Sequence, residues 1–290
     1  MLVIYWLSDS LIVKELSPNL LCKFSEYFNL TMYGQFYGSI TPFSSGGQPA
    51  QVLYLKNRGI SVGKSISVLT QKIFITQLCT VIVSSLSLIF KGHKFRDSIP
   101  AFDLLVIIGL IIQCSGVASI VLFYSNKNKF INFIHHILKM GERIKIIKDS
   151  DNLCNKINNH LSFLIKNNLS IDYKFSTFFY CFLQNLSMNA MSFFIVKSFG
   201  SNNFSIFDSI AAQSFVTLIS ITTPLPGSAG TTEGTFITLY KKFINQEKLV
   251  SIMILFRTIN YYLGIITSAI IITISNHKTK KTRQKREYEK

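Results

Sequence analysis

The chain of 290 residues carries 30 Lys and Arg against 14 Asp and Glu, a net charge of +16, yet only 15% of it is charged and 48% is hydrophobic. With a mean hydropathy of +0.34, and a charged fraction well below the ~25% of soluble domains, this composition argues against a soluble enzyme or a nucleic-acid binder. It points to an all-α, polytopic membrane protein whose basic excess flanks the cytoplasmic ends of spans and meets anionic lipid.

Met1–Val13 is apolar apart from Asp9 and two serines. As a helix it covers only about 20 Å, short of the ~30 Å hydrocarbon core. It reads as the second half of a span, so the chain is expected to begin late. Tyr27–Ile40 is equally short and runs into a break, TPFSSGGQPAQ from Thr41 to Gln51. Gly46 and Gly47 supply conformational freedom there, and Pro49 suits the first position of a helix over Ala50–Asn57, with Gly59 near its end. The N–H groups of such a helix start make a ready anion site, and Gln48 adds a neutral donor and acceptor.

Ile66–Phe90 and Ala101–Tyr124 are long and apolar enough to span a bilayer. Lys72, between Gln71 and Gln77, either faces a polar interior or snorkels to the head groups. A basic tail at residues 276–290 and a Lys-rich linker, residues 125–174, are both expected in the cytoplasm. The loop Lys91–Pro100 then falls outside, against the trend of Lys91, Lys94 and Arg96. Within the linker, Phe130, Ile134, Ile137, Ile144 and Ile147 repeat at helical spacing among lysines, the pattern of a basic amphipathic helix on the membrane surface or of a plain surface helix packed on the membrane domain.

Phe175–Phe199 is a more polar fourth span. Phe204–Thr222 and Thr235–Phe243 flank a second break, TPLPGSAGTTEG from Thr223 to Gly234, and together read as a broken helix or re-entrant hairpin. Pro224, Pro226, Gly227 and Gly230 end one helix, and Thr231 or Thr232 is placed to cap the next, with Glu233 in its first turn. Val250–Ser275 is the last span. It contains Arg257, which needs a partner at membrane depth. Glu233 is the candidate, and Tyr261 lies one turn on. Matched Gly/Pro breaks in two halves of a chain point to a transporter's substrate site.

The five cysteines are scattered, without a Cys-x-x-Cys pair, and read as buried small hydrophobes. His135 and His136 lack companions at ligand spacing. No phosphate-binding, metalloprotease or nucleophile-elbow motif occurs. No metal, cofactor or bound nucleic acid is expected, and no catalytic residue is identified.

TPFSSGGQPAQVLYLKNRGISVGKS, QSFVTLISITTPLPGSAGTTEGTF and FRTINYYLG occur in this order, and with the Gln71–Lys72 and Gln77 pattern they resemble the lysylphosphatidylglycerol synthase membrane-region family of flippase-like proteins. The resemblance covers nearly the whole chain. It implies a multi-pass protein of the bacterial inner membrane that binds and flips a phospholipid such as aminoacylated phosphatidylglycerol. Family members join this module to a cytosolic aminoacyltransferase that moves lysine from lysyl-tRNA to phosphatidylglycerol, conferring resistance to cationic peptides. Nothing in these residues resembles that transferase, so alternatives are the membrane component of a lysyltransferase acting with a separate soluble partner, or a non-catalytic scaffold. On this reading residues 1–290 form one membrane domain. Thr41, Pro42, Gly46, Gly47, Gln48, Pro49, Pro224, Gly227, Gly230, Glu233, Arg257, Tyr261 and Lys72 are its candidate head-group residues. The first break would hold the phosphate, and Glu233 a cationic group.

Overall fold

A computed structural model describes residues 1–125, 174–201 and 203–288, with isolated positions between 126 and 173; side chains from 278 on are not described. The expected amphipathic linker helix lies outside the described residues. Among the described residues four helical stretches are long and apolar enough to cross a membrane: Val62–Ser98, Phe102–Leu122, Phe175–Ser198 and Gln246–His277. These are the four spans expected from hydropathy. Their outer faces remain greasy, with Ile89, Ile111, Ile254 and Ile270 exposed, as lipid-facing positions require.

The first half contains α1 (Leu2–Leu16), α2 (Phe24–Ile40), a 3-10 turn (Pro42–Ser44), α3 (Gly47–Lys56), α4 (Val62–Phe95) and α5 (Phe102–Ser125). The second half contains α6 (Phe175–Asn189), α7 (Met191–Ser198), α8 (Ile206–Ser220), a 3-10 turn (Pro226–Ser228), α9 (Thr231–Tyr240), α10 (Gln246–Arg257), a π-helical turn (Thr258–Tyr262) and α11 (Leu263–Tyr288). The order repeats: helix, helix, 3-10 turn, ten-residue helix, long helix. Pro42 and Pro226, Gly47 and Thr231, and Val62 and Gln246 open equivalent elements, and the spacing between partners is the same in all three.

Within each half the ten-residue helix folds back on the broken helix before it. Gln51 Nε2 donates to the Leu30 carbonyl at 3.0 Å and Tyr54 to that of Glu26 at 3.3 Å, so α3 runs antiparallel to α2. In the second half, Thr232 meets Ser220 and Tyr240 accepts from Gln213 at 2.7 Å, so α9 runs antiparallel to α8. Both breaks are therefore helical hairpins. The first is closed by small residues: a Cβ on Gly47 would stand 2.8 Å from the Gly34 carbonyl, and only glycine lets the backbones approach that closely.

The two halves point in opposite directions. Glu15 and Asp9 of α1 bond Ser176 and Gln184 of α6, respectively, so the helix ahead of the first hairpin runs antiparallel to one ahead of the second. Each broken helix also lies along the long helix of the other half. Near the start of α2, Asn29 and Tyr33 reach Ser275 and Asn276. At the start of α8, Asp208 takes Lys91 and Lys94 at 3.0 and 3.1 Å. This is an inverted repeat, a construction found in secondary transporters.

It also explains the basic Lys91–Pro100 loop. Lys91 and Lys94 neutralise the buried carboxylate of Asp208, and Arg96 pairs with Asp103 at 2.7 Å. Charges committed to partners within the protein are poor reporters of membrane orientation. The main core gathers beside this cluster. Phe215 takes Phe95 and Phe102 edge-on, and Phe236 stacks on Tyr240 with centroids 3.9 Å apart.

Candidate functional site

The two 3-10 turns touch each other. Their backbones are matched residue by residue. The Thr-Pro pairs do not correspond, because Pro42 is equivalent to Pro226, not to Pro224. Residues Phe43 and Ser44 have φ of 51° and 54°, and Gly227 and Ser228 have 60° and 49°. Non-glycine residues in this region are uncommon, and Phe43 is an outlier for a bulky side chain.

A latch holds the junction together. Arg257 Nε lies 2.6 Å from Glu233 Oε1, and its Nη2 donates to the Gly227 carbonyl at 3.1 Å. Its guanidinium sits over the Tyr261 ring, 4.8 Å from the centroid. The Tyr261 hydroxyl donates to the Ser39 carbonyl at 2.9 Å, which joins the last helix to the first hairpin. Gly227 is required twice, by its positive φ and because a Cβ would stand 2.3 Å from the Tyr261 ring.

The expected Arg257–Glu233 pair is thus present. The expected cap is not: Gly230, with φ of 85°, precedes the first turn of α9, and its N–H donates to Glu233 Oε2 at 2.7 Å. Thr231 is already helical and bonds Thr223. Both Glu233 oxygens are consequently occupied. Pro49 likewise stands third in α3, which starts at Gly47. A proline is still tolerated there because first-turn N–H groups have no intrahelical acceptor. Thr41 accepts from the Gly46 N–H at 2.9 Å and donates to the Tyr37 carbonyl, shaping the first turn. Pro42, Pro49 and Pro224 are exposed.

Beside the latch lies a cavity of about 690 Å³ between α1–α6, α8 and the π-helical turn after α10. That is within the range of small-ligand sites. Gly47, Gln48, Lys72, Gly227 and Tyr261 line it, whereas the other candidate residues do not. More than half of the lining residues are Ser, Thr, Asn or Gln.

Lys72 does not snorkel. Its Nζ donates to Asp9 Oδ2 at 2.7 Å, inside the cavity. Thr31 donates to the same oxygen at 2.8 Å and Gln184 to Oδ1 at 2.8 Å. Asp9, 6% exposed, therefore draws α1, α2, α4 and α6 to one carboxylate. Sequence reasoning missed Asp9, Thr31 and Gln184 as site residues. The available signal was an acid between Ser8 and Ser10 in an otherwise apolar run, since an ionisable residue at membrane depth is functional by default. A further polar ladder, Thr80–Asn185–Asn189, continues along the wall. Among the described residues no His, Cys, Asp and Glu cluster could hold a metal ion.

The family described as "Lysylphosphatidylglycerol synthase TM region" matches residues 10–268. The chain is also similar to a "UPF0104 membrane protein" of Archaeoglobus fulgidus, 26% identical over 288 residues, covering 96% of this chain and 85% of the relative. No solved structure matches it.

Proposed function

The chain belongs to the lysylphosphatidylglycerol synthase membrane-region family, and from that premise we propose that it binds the polar head group of a membrane lipid in its central cavity and moves it between leaflets. One observation carries the reading: a polar cavity with a buried ion pair lies where two inverted hairpins meet, in a chain whose outer helix faces are apolar. A head group crossing a bilayer must exchange water for protein donors and acceptors, and acyl chains can stay in lipid outside.

Inverted hairpins around one cavity also supply two related arrangements of the same contacts, open to either side. The latch of Arg257, Glu233 and Tyr261 closes the junction in the arrangement seen. Lys72 and the N-terminal turn of α3, with Gln48, supply donors to a phosphate. In this reading the protein lies in the cell membrane with residues 276–290 at the cytoplasmic face.

The test is reconstitution into liposomes containing a head-group-labelled phospholipid, with quenching of the outer leaflet by an impermeant reductant. The protein is expected to make inner-leaflet label accessible, and Lys72→Met to slow that by about tenfold or more, one strong charged hydrogen bond's worth. Quenching no faster than in protein-free liposomes would reject the reading.

A further inference from the structure

We infer that the head group accepted by this cavity is hydroxyl-rich and bears no net positive charge, a sugar or glycerol rather than an aminoacyl ester. This rests on the lipid-binding reading above and narrows it.

The charge balance comes first. Among the described residues the cavity lining holds one acid and one base, Asp9 and Lys72, which are bonded to each other. Both Asp9 oxygens take donors from the protein. The other carboxylate near the junction, Glu233, is outside the lining and is committed to Arg257 and the Gly230 N–H. A lysyl ester brings two ammonium groups. Removing an ammonium from water without a carboxylate to receive it is strongly unfavourable, and the described lining residues offer no uncommitted carboxylate.

The remaining lining fits the opposite chemistry. Hydroxyls and carboxamides both donate and accept, as the hydroxyls of a sugar or glycerol do. Ser84 is the sharpest indication. It lines the cavity at 1% exposure, and among the described residues its Oγ has no hydrogen-bond partner. Thr76 and Thr80, on the same helix, bond the carbonyl four residues back, a bond that Ser84 leaves unmade. A buried hydroxyl without a partner is unfavourable unless something in the cavity completes it. The ammonium of Lys72 has three donors and gives one to Asp9, so a lipid phosphate beside the hydroxyls is also accommodated.

Native mass spectrometry of the full-length protein in detergent tests this. The protein is mixed with equal amounts of glucosyl-diacylglycerol, phosphatidylglycerol and lysylphosphatidylglycerol of identical acyl chains. Retention of either hydroxylated lipid about tenfold or more above the lysyl lipid is expected, since tenfold is only ~1.4 kcal/mol. Preference for the glucosyl lipid identifies a sugar site, and preference for phosphatidylglycerol a glycerol-phosphate site. Ser84→Ala should lower that retention about three- to tenfold, the worth of one hydrogen bond, with an unchanged melting temperature because the hydroxyl bonds nothing in the protein. Lysyl lipid held as well as the others, or retention indifferent to Ser84→Ala, would overturn the inference while leaving lipid binding intact. Retention of none of the three would remove the lipid-binding reading with it.

Discussion

Two ion pairs sit a short distance apart in this molecule and have different work to do. Glu233–Arg257 is a latch: it ties the start of α9 to the last long helix, and Arg257 also holds the Gly227 carbonyl. Asp9–Lys72 faces the cavity and gathers four helices at one carboxylate. The side chain of Glu233 is 26% exposed and that of Asp9 8%, so solvent supports the first acid far more than the second. A charge that organises a cavity must be desolvated to do so, and its loss should be felt more strongly.

Asp9→Ala separates the two pairs most sharply. It strips Lys72, Thr31 and Gln184 of their shared acceptor and leaves a buried ammonium alone, an effect of roughly 3–5 kcal/mol. Its thermal unfolding in detergent should fall by the largest margin of the variants considered. Removing both charges, as Asp9→Asn with Lys72→Met, should restore most of that stability but not lipid movement. If movement returned with stability, the cavity pair would be a structural feature only.

Arg257→Ala is expected to be milder, about 2–4 kcal/mol. Glu233 keeps partial access to solvent and the Gly230 N–H, so the full cost of an orphaned buried charge is not reached. Proteolysis between α8 and α9 should report the loosened junction. A larger loss of stability than in Asp9→Ala would invert the comparison.

The smallest effect belongs to Lys94→Ala. Asp208 would keep Lys91 and its bonds to Ser205, and the Lys94 side chain is 39% exposed. A change of roughly 0.2–1 kcal/mol is expected, read as a slight shift in melting temperature. A shift as large as that of Arg257→Ala would mean that Asp208 depends on both lysines.

How much of this could be read from the chain alone follows from the range of the forces involved. Spans such as Ala101–Tyr124 are local facts of hydropathy, and they appear where expected. The breaks at Thr41–Gln51 and Thr223–Gly234 are also local, because Pro and Gly act on their own backbone. The pairing of Glu233 with Arg257 was accessible too, since an Arg in an apolar run demands an acid and few are at hand.

Register and depth were different. Both breaks open with Thr-Pro, but positive φ at Phe43 and Gly227 aligns the turns on Pro42 and Pro226. The basic residues of the Lys91–Pro100 loop ran against the orientation expected from the rest of the chain, and only the structure shows them paired with Asp208 and Asp103. The chain by itself determined a helical membrane protein with two glycine-proline hairpins and an arginine seeking a carboxylate. Only the tertiary structure decided that the halves are inverted, that Asp9 meets Lys72 across 63 residues, and that a cavity lined largely by hydroxyl and carboxamide side chains lies between them. Periodicity and backbone breaks are written over a few residues, whereas a buried pair and a cavity exist only once particular helices have packed together.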